Sequence, residues 1–333
     1  MAPLYRKLTA VFLFLSAALI VSGVIGVGAG SSGLGGIGDV LAVLTGGKPE
    51  NLMLADIVWR IRLPRVLLAA LVGSSLSLGG LVFQALLRNP LAEPYILGIS
   101  GGSAVGAIIG IMMGFARFPG VCLCAFAGSM ATLILVVAMA SGADRLQKDA
   151  LLLSGVMLNA FCSAGIMFLV SLTQDARLHN ILFWLMGDLS LASLGEAAVL
   201  AALVLPGFLV VFGLSHVMNL LLMGREMAST MGVNTTAATL ILLTVTSFMV
   251  SATVSYCGLV GFVGLVMPHL LRLILGPDHR VLVPACILGG GAYLIVCDLL
   301  ARTLPEQGEM PTGVVTAMIG APLFILLLRR SRS

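Results

Sequence analysis

Long apolar stretches separated by short polar connections follow one another along this chain. A helix needs about 20 mostly apolar residues to cross the hydrocarbon core of a bilayer, and the stretches are close to that length. The pattern therefore predicts ten spanning helices. They cover residues 8–28, 64–86, 95–114, 118–140, 150–172, 194–214, 235–255, 259–275, 281–301 and 312–328.

Two parts of this prediction leave an alternative open. The first stretch follows Arg6 and Lys7, as the core of a signal peptide would, but its apolar run is longer than a usual signal core, so we expect a spanning helix. The seventh and eighth stretches are separated only by residues 256–258. A single kinked or re-entrant element over 235–275 is therefore an alternative to two helices.

Composition supports a membrane protein. Hydrophobic residues make up 59% of the chain and charged residues 10%, whereas soluble domains carry about 25% charged residues. We expect an all-α integral membrane protein with residues 1–333 in a single membrane domain. The six cysteines lack the spacing of a zinc site and are expected to be small buried hydrophobes. We therefore expect no metal, and we expect no cofactor. The cations are spread over the loops and form no patch, so we expect no nucleic-acid partner.

The distribution of lysine and arginine predicts the orientation. With the N-terminus inside, 11 of the 18 cations fall on the cytoplasmic side, as the positive-inside rule requires. This places both termini in the cytoplasm of a multi-pass protein of the cell inner (plasma) membrane. Arg60, Arg62 and Arg65 are exceptions, since they crowd one outer edge. They are expected either to bind the phosphates of membrane lipid or to dock an acidic soluble partner.

The connector at residues 216–234 is amphipathic and too polar around Gly224 to cross lipid. It is expected to lie on the headgroups or to insert into a groove of a soluble partner.

The chain has no phosphate-binding loop, because "GGKP" at 46–49 lacks the required Ser or Thr. Carboxylates are also missing from the centres of the spans, where a self-sufficient carrier would need them; Asp298 lies deepest. Energy for transport is thus expected from a partner.

The stretch 261–280 places a proline and a histidine in the middle of an apolar run. Pro268 removes one helical hydrogen bond, and we expect His269 to supply a polar side chain at the turn that loses this bond. No carboxylate or cysteine lies at ligand spacing from His269, which argues against an intramembrane enzyme.

A short repeat also links "GLVMPHLLR" at 264–272 with "GLVFQALLR" at 80–88, which match at six of nine positions.

Several motifs occur together in order: "RLPR" (62–65), "QALLRNPLAEPYILGISGG" (84–102), "FWLMGDL" (183–189), "GFVGLVMPHLLRLILGPDHR" (261–280), "CDLLARTL" (297–304) and "EMPTGVVTAMIGAPLF" (309–324). With them the chain closely resembles the FecCD family of permeases, the membrane subunits of ABC importers for iron-siderophores, cobalamin and haem. The resemblance implies a ten-helix, non-catalytic subunit with the type II importer fold. It further implies a second permease copy or paralogue, two copies of an ATP-binding subunit, and a periplasmic or lipid-anchored substrate-binding protein.

The resemblance also assigns roles to residues. Docking of the binding protein falls on Arg62, Arg65 and Arg302. Coupling to the ATPase falls on Gly224, Arg225, Glu226, Ala228 and Gly232. The cytoplasmic gate falls on Asn89, Pro90, Leu91, Lys148 and Asp149. A structural motif comprises Pro268, His269, Arg272, Glu309 and Pro311. The expected substrate is an iron chelate (siderophore), with cobalamin or haem as alternatives within the family and a self-sufficient secondary transporter as the alternative of a different class.

Overall fold

All ten predicted apolar stretches form helices in the computed structural model, which describes residues 2–29, 38, 42–43, 52–141, 148–173, 175–305 and 308–331. In this part of the chain, seven helices are long and apolar enough to cross a membrane and three more are apolar but shorter. The helices that match predicted spans are α1 (Ala2–Gly28), α3 (Leu63–Leu87), α4 (Ile99–Met112), α5 (Cys122–Ala140), α6 (Lys148–Ser171), α8 (Leu194–Gly213), α11 (Thr235–Cys257), α12 (Val263–Leu275), α13 (His279–Thr303) and α14 (Thr312–Ser331).

Shorter helices lie between the spans. α2 (Leu52–Ile57) continues through one wide π-helical turn, Val58–Arg62, into α3. α7 (Asp175–Met186) was not predicted, because its 12 residues are too few to cross a bilayer. The predicted connector at 216–234 forms α9 (Ser215–Met223) and α10 (Arg225–Thr230).

Helix α3 is the centre of the bundle and packs against α8, α11, α12 and α13. Its backbone approaches α12 most closely where Gly80 faces Gly264, and a Cβ atom on Gly80 would overlap the carbonyl of Gly264. Small residues allow this approach between membrane helices. The two copies of the short repeat meet here, since Gln84 Nε2 donates a hydrogen bond to the Gly264 carbonyl oxygen at 3.3 Å.

Two predicted spans start later than the sequence indicated, each after a segment that is not helical. α4 begins at Ile99, not at 95, and α12 begins at Val263, not at 259. The 14 residues of α4 span about 21 Å, less than the ~30 Å of a hydrocarbon core. Irregular segments precede both helices: the re-entrant loop (residues 88–98) and the crossover (residues 258–262). Irregular backbone at such depth requires cover by protein, and both segments contain fully buried residues, Ala92 and Leu97 in the loop and Val260 in the crossover.

The crossover also decides between the alternatives for 235–275. Thr253 of α11 donates to Ser75 of α3, and Val250 lies beside Gly79, so α11 runs antiparallel to α3. Gly264 of α12 lies beside Gly80 of α3, and Arg272 further along α12 bonds to Gln84 further along α3, so α12 follows α3 in its own direction. The chain therefore reverses at the crossover, and α11 and α12 are two separate helices.

The functional predictions fall at opposite ends of this bundle. One end carries Arg62, Arg65 and Arg302 and is called the arginine end. The other carries α9, α10 and the start of the re-entrant loop and is called the short-helix end.

Candidate functional site

Three sequence-predicted arginines converge at the arginine end. Arg62 lies in the wide turn before α3, Arg65 in the first turn of α3, and Arg302 in the last turn of α13. All three are buried, with 4%, 2% and 5% of their surfaces exposed. The sequence prediction placed their side chains toward a soluble partner, whereas the fold directs them into the protein.

Two of these arginines hold the end of α1. Arg62 Nη1 donates to the carbonyl oxygens of Val27, at 3.1 Å, and Gly28, at 2.9 Å. Arg302 Nη2 donates to the carbonyl oxygen of Gly26 at 3.0 Å. The last carbonyls of a helix lack intrahelical partners and carry partial negative charge. Both guanidinium groups therefore cap the C-terminus of α1.

Asp298 of α13 lies between two of the guanidinium groups. Its carboxylate accepts from Arg65 Nε at 2.9 and 3.1 Å and from Thr312 Oγ1 at 3.1 Å. Arg302 Nε lies 3.1 Å from Asp298 Oδ2 as an ion pair, at an angle too poor for a hydrogen bond. Glu309, predicted only as part of a structural motif, accepts from Arg65 Nη1 at 2.5 Å. Its neighbour Pro311 is half-buried, just before α14.

Direct docking by these arginines stays a prediction, since each is bonded inside the chain in this conformation. Arg60, at the same end, has 81% of its side chain exposed and forms an ion pair with Asp56 at 3.3 Å. Sequence reasoning grouped Arg60 with Arg62 and Arg65 by position. The helical turn separates them, because residues two positions apart on a helix point to different faces.

A cavity of about 340 Å³ lies beside α7 near the arginine end. Arg117 and Asp188 line it and form an ion pair at 3.2 Å, while Arg177 and the aromatic rings of Phe183 and Trp184 form other walls. The motif "FWLMGDL" contains Phe183, Trp184 and Asp188 of this cavity, but the sequence did not indicate that they line one. The residues that line it are far apart in the chain and meet only because α7 folds back against α4.

The short-helix end presents an apolar surface. Gly224, with φ of +124°, separates α9 from α10, and Gly232, with φ of +84°, ends the second helix. A positive φ favours glycine. Ala228 is fully buried and Glu226 is exposed. Arg225 begins α10, but its side chain lies outside the described set. The large apolar side chains exposed here are Leu222, Met223, Met227 and Met231.

Polar contacts fix α9 to the bundle. Asn219 Nδ2 donates to Asp278 Oδ1 at 2.7 Å, and the His279 backbone N–H donates to Asn219 Oδ1 at 2.9 Å. The hydrogen bonds from Arg280 lower the pKa of Asp278 to about 2, and the Asn219 amide adds to this effect. Arg88 Nη2 donates to the Leu221 carbonyl oxygen at 2.6 Å. The sequence did not single out Asn219 or Arg88.

The predicted gate residues lie at the same end. The Leu91 backbone N–H donates to Asn89 Oδ1 at 2.9 Å, which closes a tight turn around Pro90. Pro90 and Leu91 are exposed. Asp149 is exposed in the first turn of α6, and the side chain of Lys148 lies outside the described set. Gating by these residues stays a prediction.

The proline motif in α12 corrects one sequence inference. Pro268 has no N–H, so the carbonyl oxygen of Gly264 loses its helical partner. Gln84 Nε2 supplies that hydrogen bond, and Gln84 Oε1 in turn accepts from Arg272 Nη2 at 3.0 Å. His269 was expected to serve this turn, but among the described residues neither of its ring nitrogens has a hydrogen-bond partner. Its ring packs edge-on against Phe324, with the ring centroids 5.8 Å apart.

Comparison with protein families and known proteins gives a consistent result. Residues 17–330 match the model of the FecCD transport family. The chain is 41% identical over 288 residues to the cobalamin import system permease protein BtuC of Halobacterium salinarum, covering 86% of this chain and 77% of that protein. It is 39% identical to the hemin transport system permease protein HmuU of Yersinia pestis, covering 83% and 85% of the two chains.

A solved structure is similar over nearly the whole length. It is an inward-facing conformation of a metal-chelate type ABC transporter, with a TM-score of 0.86 and 29% sequence identity, and the match covers 97% of this chain and 99% of that one. The vitamin B12 import system permease protein BtuC of Salmonella arizonae is 40% identical, covering 82% and 83% of the two chains. The similarity thus extends over all the described helices, not over one motif.

Proposed function

Since this chain belongs to the FecCD transport family and is the permease subunit of an ABC importer, we propose that it carries a bulky metal chelate across the plasma membrane into the cell. ABC importers of this kind work with ATPase and substrate-binding subunits. The observation that carries the proposal is the short-helix end, an exposed apolar surface on a chain without a phosphate-binding loop. Such a chain needs a separate motor, and this surface suits its attachment.

The substrate we propose is a macrocyclic metal chelate of the cobalamin or haem type. Relatives at 39–41% identity carry the names of cobalamin and hemin permeases, which favours this class over the iron-siderophore that the motifs alone suggested. The siderophore remains the second candidate. A macrocycle is rigid and planar, so it loses little conformational freedom on entering a path between helices.

The ATPase attaches, in this proposal, to α9 and α10. Met223, Met227 and, just after α10, Met231 are exposed, flexible apolar side chains that adapt to a groove, and Leu222 adds to the same surface. Exposed Glu226 lies beside them. An amphipathic helix that inserts an apolar face into a partner's groove is a common mode of recognition. Two ATPase copies would serve two permease chains, with this end in the cytoplasm.

A second copy or a paralogue would cover the apolar face of α6. This helix exposes Val156, Phe161, Met167 and Phe168, and only 17% of an 18-residue apolar stretch within it is buried. Lipid covers such a face equally well, because lipid tails are as apolar as the side chains. The argument for a second copy is thus the need for a path between two permeases. A single chain fills its own centre with α3.

The binding protein docks, in this proposal, at the arginine end. Arg65 contacts the binding protein only if a carboxylate of that protein replaces Glu309, whose side chain is 39% exposed. Arg60 needs no such replacement, because it is exposed already. In this proposal the outer face offers guanidinium groups in two layers: Arg60 is exposed, and Arg65 is released when a partner carboxylate replaces Glu309. Opposite charges on the partner would steer its approach.

Reconstitution tests the proposed function. The chain, its ATPase and its binding protein are placed in vesicles, and uptake of cyanocobalamin, hemin and a ferric siderophore is measured with and without ATP. We expect ATP-dependent uptake of cyanocobalamin or hemin that needs all three components. Uphill uptake by this chain alone would instead show a secondary transporter. ATP-dependent uptake of the siderophore alone would contradict the proposed substrate class but not the proposal that the chain belongs to an ATP-driven importer.

A further inference from the structure

We propose that the re-entrant loop (residues 88–98) joins the ATPase-binding helix α9 to the crossover (residues 258–262), and that Arg88, Glu93 and Tyr95 are its positioning residues. The inference rests on the proposed function in one respect, that an ATPase moves α9 and α10. It goes beyond that function by naming the route through which the movement reaches the middle of the bundle.

The first attachment is at the short-helix end. Arg88 ends α3 in the left-handed conformation, with φ of +51°, and this conformation turns its side chain toward α9. Its Nη2 donates to the Leu221 carbonyl oxygen at 2.6 Å, in the last turn of α9. A cation at the C-terminus of a helix is stabilised by the partial negative charge of the last carbonyls. A shift of α9 is therefore transmitted to the first residue of the re-entrant loop.

The second attachment is at the crossover. The Tyr95 hydroxyl donates to the Val260 carbonyl oxygen at 2.8 Å and accepts from the Val260 N–H at 3.1 Å. Glu93 Oε1 accepts from the Phe262 N–H at 3.2 Å. These backbone groups lie between two helices and have no helical partners of their own to bond. Two side chains of one loop thus satisfy three polar groups of the broken segment, where an unsatisfied group would be costly.

The loop between the attachments is held in shape. Successive turns bond Ala92 N–H to the Asn89 carbonyl and Ile96 N–H to the Glu93 carbonyl, at 3.0 and 3.2 Å. Pro90 and Pro94 fix two φ angles. Pro94 fits against α12 so closely that a Cβ atom on Gly264 would lie 2.6 Å from its ring. The loop therefore moves as one body and passes a displacement from Arg88 to Tyr95.

The crossover connects onward to the arginine half of the bundle. The Asp188 N–H donates to the Cys257 carbonyl oxygen at 2.9 Å, just after α7. The Gly313 N–H, in the first turn of α14, donates to the Gly187 carbonyl oxygen at 3.3 Å. The ends of α7, α11 and α14 therefore meet at the crossover. A movement delivered through the loop reaches three elements of the opposite half.

Hydrogen exchange of the assembled permease–ATPase complex tests the proposal. A non-hydrolysable ATP analogue is added, and amide exchange is followed in α9–α10 and in the crossover. In the wild type we expect the exchange of both segments to change, the crossover by about tenfold, because exchange reports local opening. In Arg88→Met and Tyr95→Phe we expect α9–α10 to respond as before and the crossover to respond by less than about twofold.

Matched variants control for general damage. Tyr293→Phe removes another hydroxyl between helices, one that donates to the Thr316 carbonyl oxygen at 3.5 Å. Arg329→Met removes an exposed arginine near the end of α14. Both should keep the crossover response. Glu93→Gln, which retains the acceptor Oε1, should also keep it, whereas Glu93→Leu should lose it.

The outcomes separate this inference from the proposed function. If the nucleotide changes exchange nowhere, including in α9–α10, then no ATPase acts on this chain, and the proposed function falls together with the inference. If α9–α10 respond but Arg88→Met and Tyr95→Phe keep the wild-type crossover response, only the inference is overturned. A response lost in Tyr293→Phe as strongly as in Tyr95→Phe would overturn it as well.

Discussion

Arg65 and Asp298 are separated by 233 residues in the chain and joined by two hydrogen bonds of 2.9 and 3.1 Å from one guanidinium nitrogen. Both side chains are at most 3% exposed. The pair fastens the start of α3 to the end of α13, and Arg302 approaches the same carboxylate from the other side. The arginine end thus depends on one carboxylate shared by two cations.

Replacing this carboxylate should destabilise the fold. Removing one partner of a buried ion pair leaves an uncompensated charge, which costs about 3–5 kcal/mol. We expect Asp298→Asn to lower the free energy of unfolding by that amount, measured by thermal and denaturant unfolding in detergent. Asp56→Asn is the matched control, since its exposed pair with Arg60 is worth at most about 1 kcal/mol. Equal stability of the two variants would contradict the role of Asp298.

Docking of the binding protein should respond to Glu309. This carboxylate competes with a partner's carboxylate for Arg65 Nη1, 2.5 Å away. We expect Glu309→Gln to tighten docking about threefold to tenfold at low salt, with the gain lost at high salt. Glu196→Gln makes the same charge change at the start of α8 without altering Arg60 or Arg65, and a glutamine keeps the capping box with Ser193. Docking that is unchanged in Glu309→Gln, or improved equally in both variants, would show that Arg65 acts only inside the chain.

The turn at Pro268 should depend on Gln84 and not on His269. Gln84→Leu leaves the Gly264 carbonyl oxygen without its donor, and an unsatisfied buried group costs about 1–3 kcal/mol. His269→Phe keeps an aromatic ring beside Phe324, so we expect it to cost less than about 1 kcal/mol. Unfolding in detergent measures both variants. A larger loss in the free energy of unfolding for His269→Phe than for Gln84→Leu would show that His269 does stabilise this turn.

Coupling should fail when α10 is reoriented. Gly232 has φ of +84° and open space around it, so Gly232→Val meets only backbone strain, of order 1–3 kcal/mol. Relief of that strain would turn α10 away from the ATPase. We expect ATP hydrolysis to continue with reduced uptake per ATP, and a bulky residue at Glu226 to act likewise. Gly213→Val, also in open space but without a positive φ, should couple normally. Normal coupling in Gly232→Val would remove α10 from the mechanism.

The contact between α9 and α13 should weaken only in strong acid. The pKa of Asp278 falls from 3.8 to about 2 in the folded protein. A carboxylate with a depressed pKa stabilises the fold fully above its unfolded pKa, and this contribution is lost as the pH falls through the folded value. We expect the stability difference between the wild type and Asp278→Asn to be constant from about pH 8 to 5 and to shrink below about pH 4. A difference that already shrinks between pH 7 and 5 would contradict this assignment.

The sequence by itself determined the number, order and approximate limits of the apolar helices. Each span must satisfy its own backbone and bury its own apolar length in lipid, and both requirements are local to one stretch of chain. The same locality explains why the connector at 216–234 could be recognised as non-spanning. It also explains why the absence of a phosphate-binding loop pointed to a separate ATPase.

Only the tertiary structure decided what the polar side chains bind. Arg65 looked like an exposed cation in the sequence, and it is buried because Asp298 and Glu309 reach it from distant segments. The Gly264 carbonyl oxygen, which Pro268 leaves without a helical partner, bonds to Gln84 and not to His269, because α3 and α12 approach so closely at Gly80. The shape of residues 88–98 likewise depends on the crossover. These partners are set by how helices pack, which no single stretch of sequence contains.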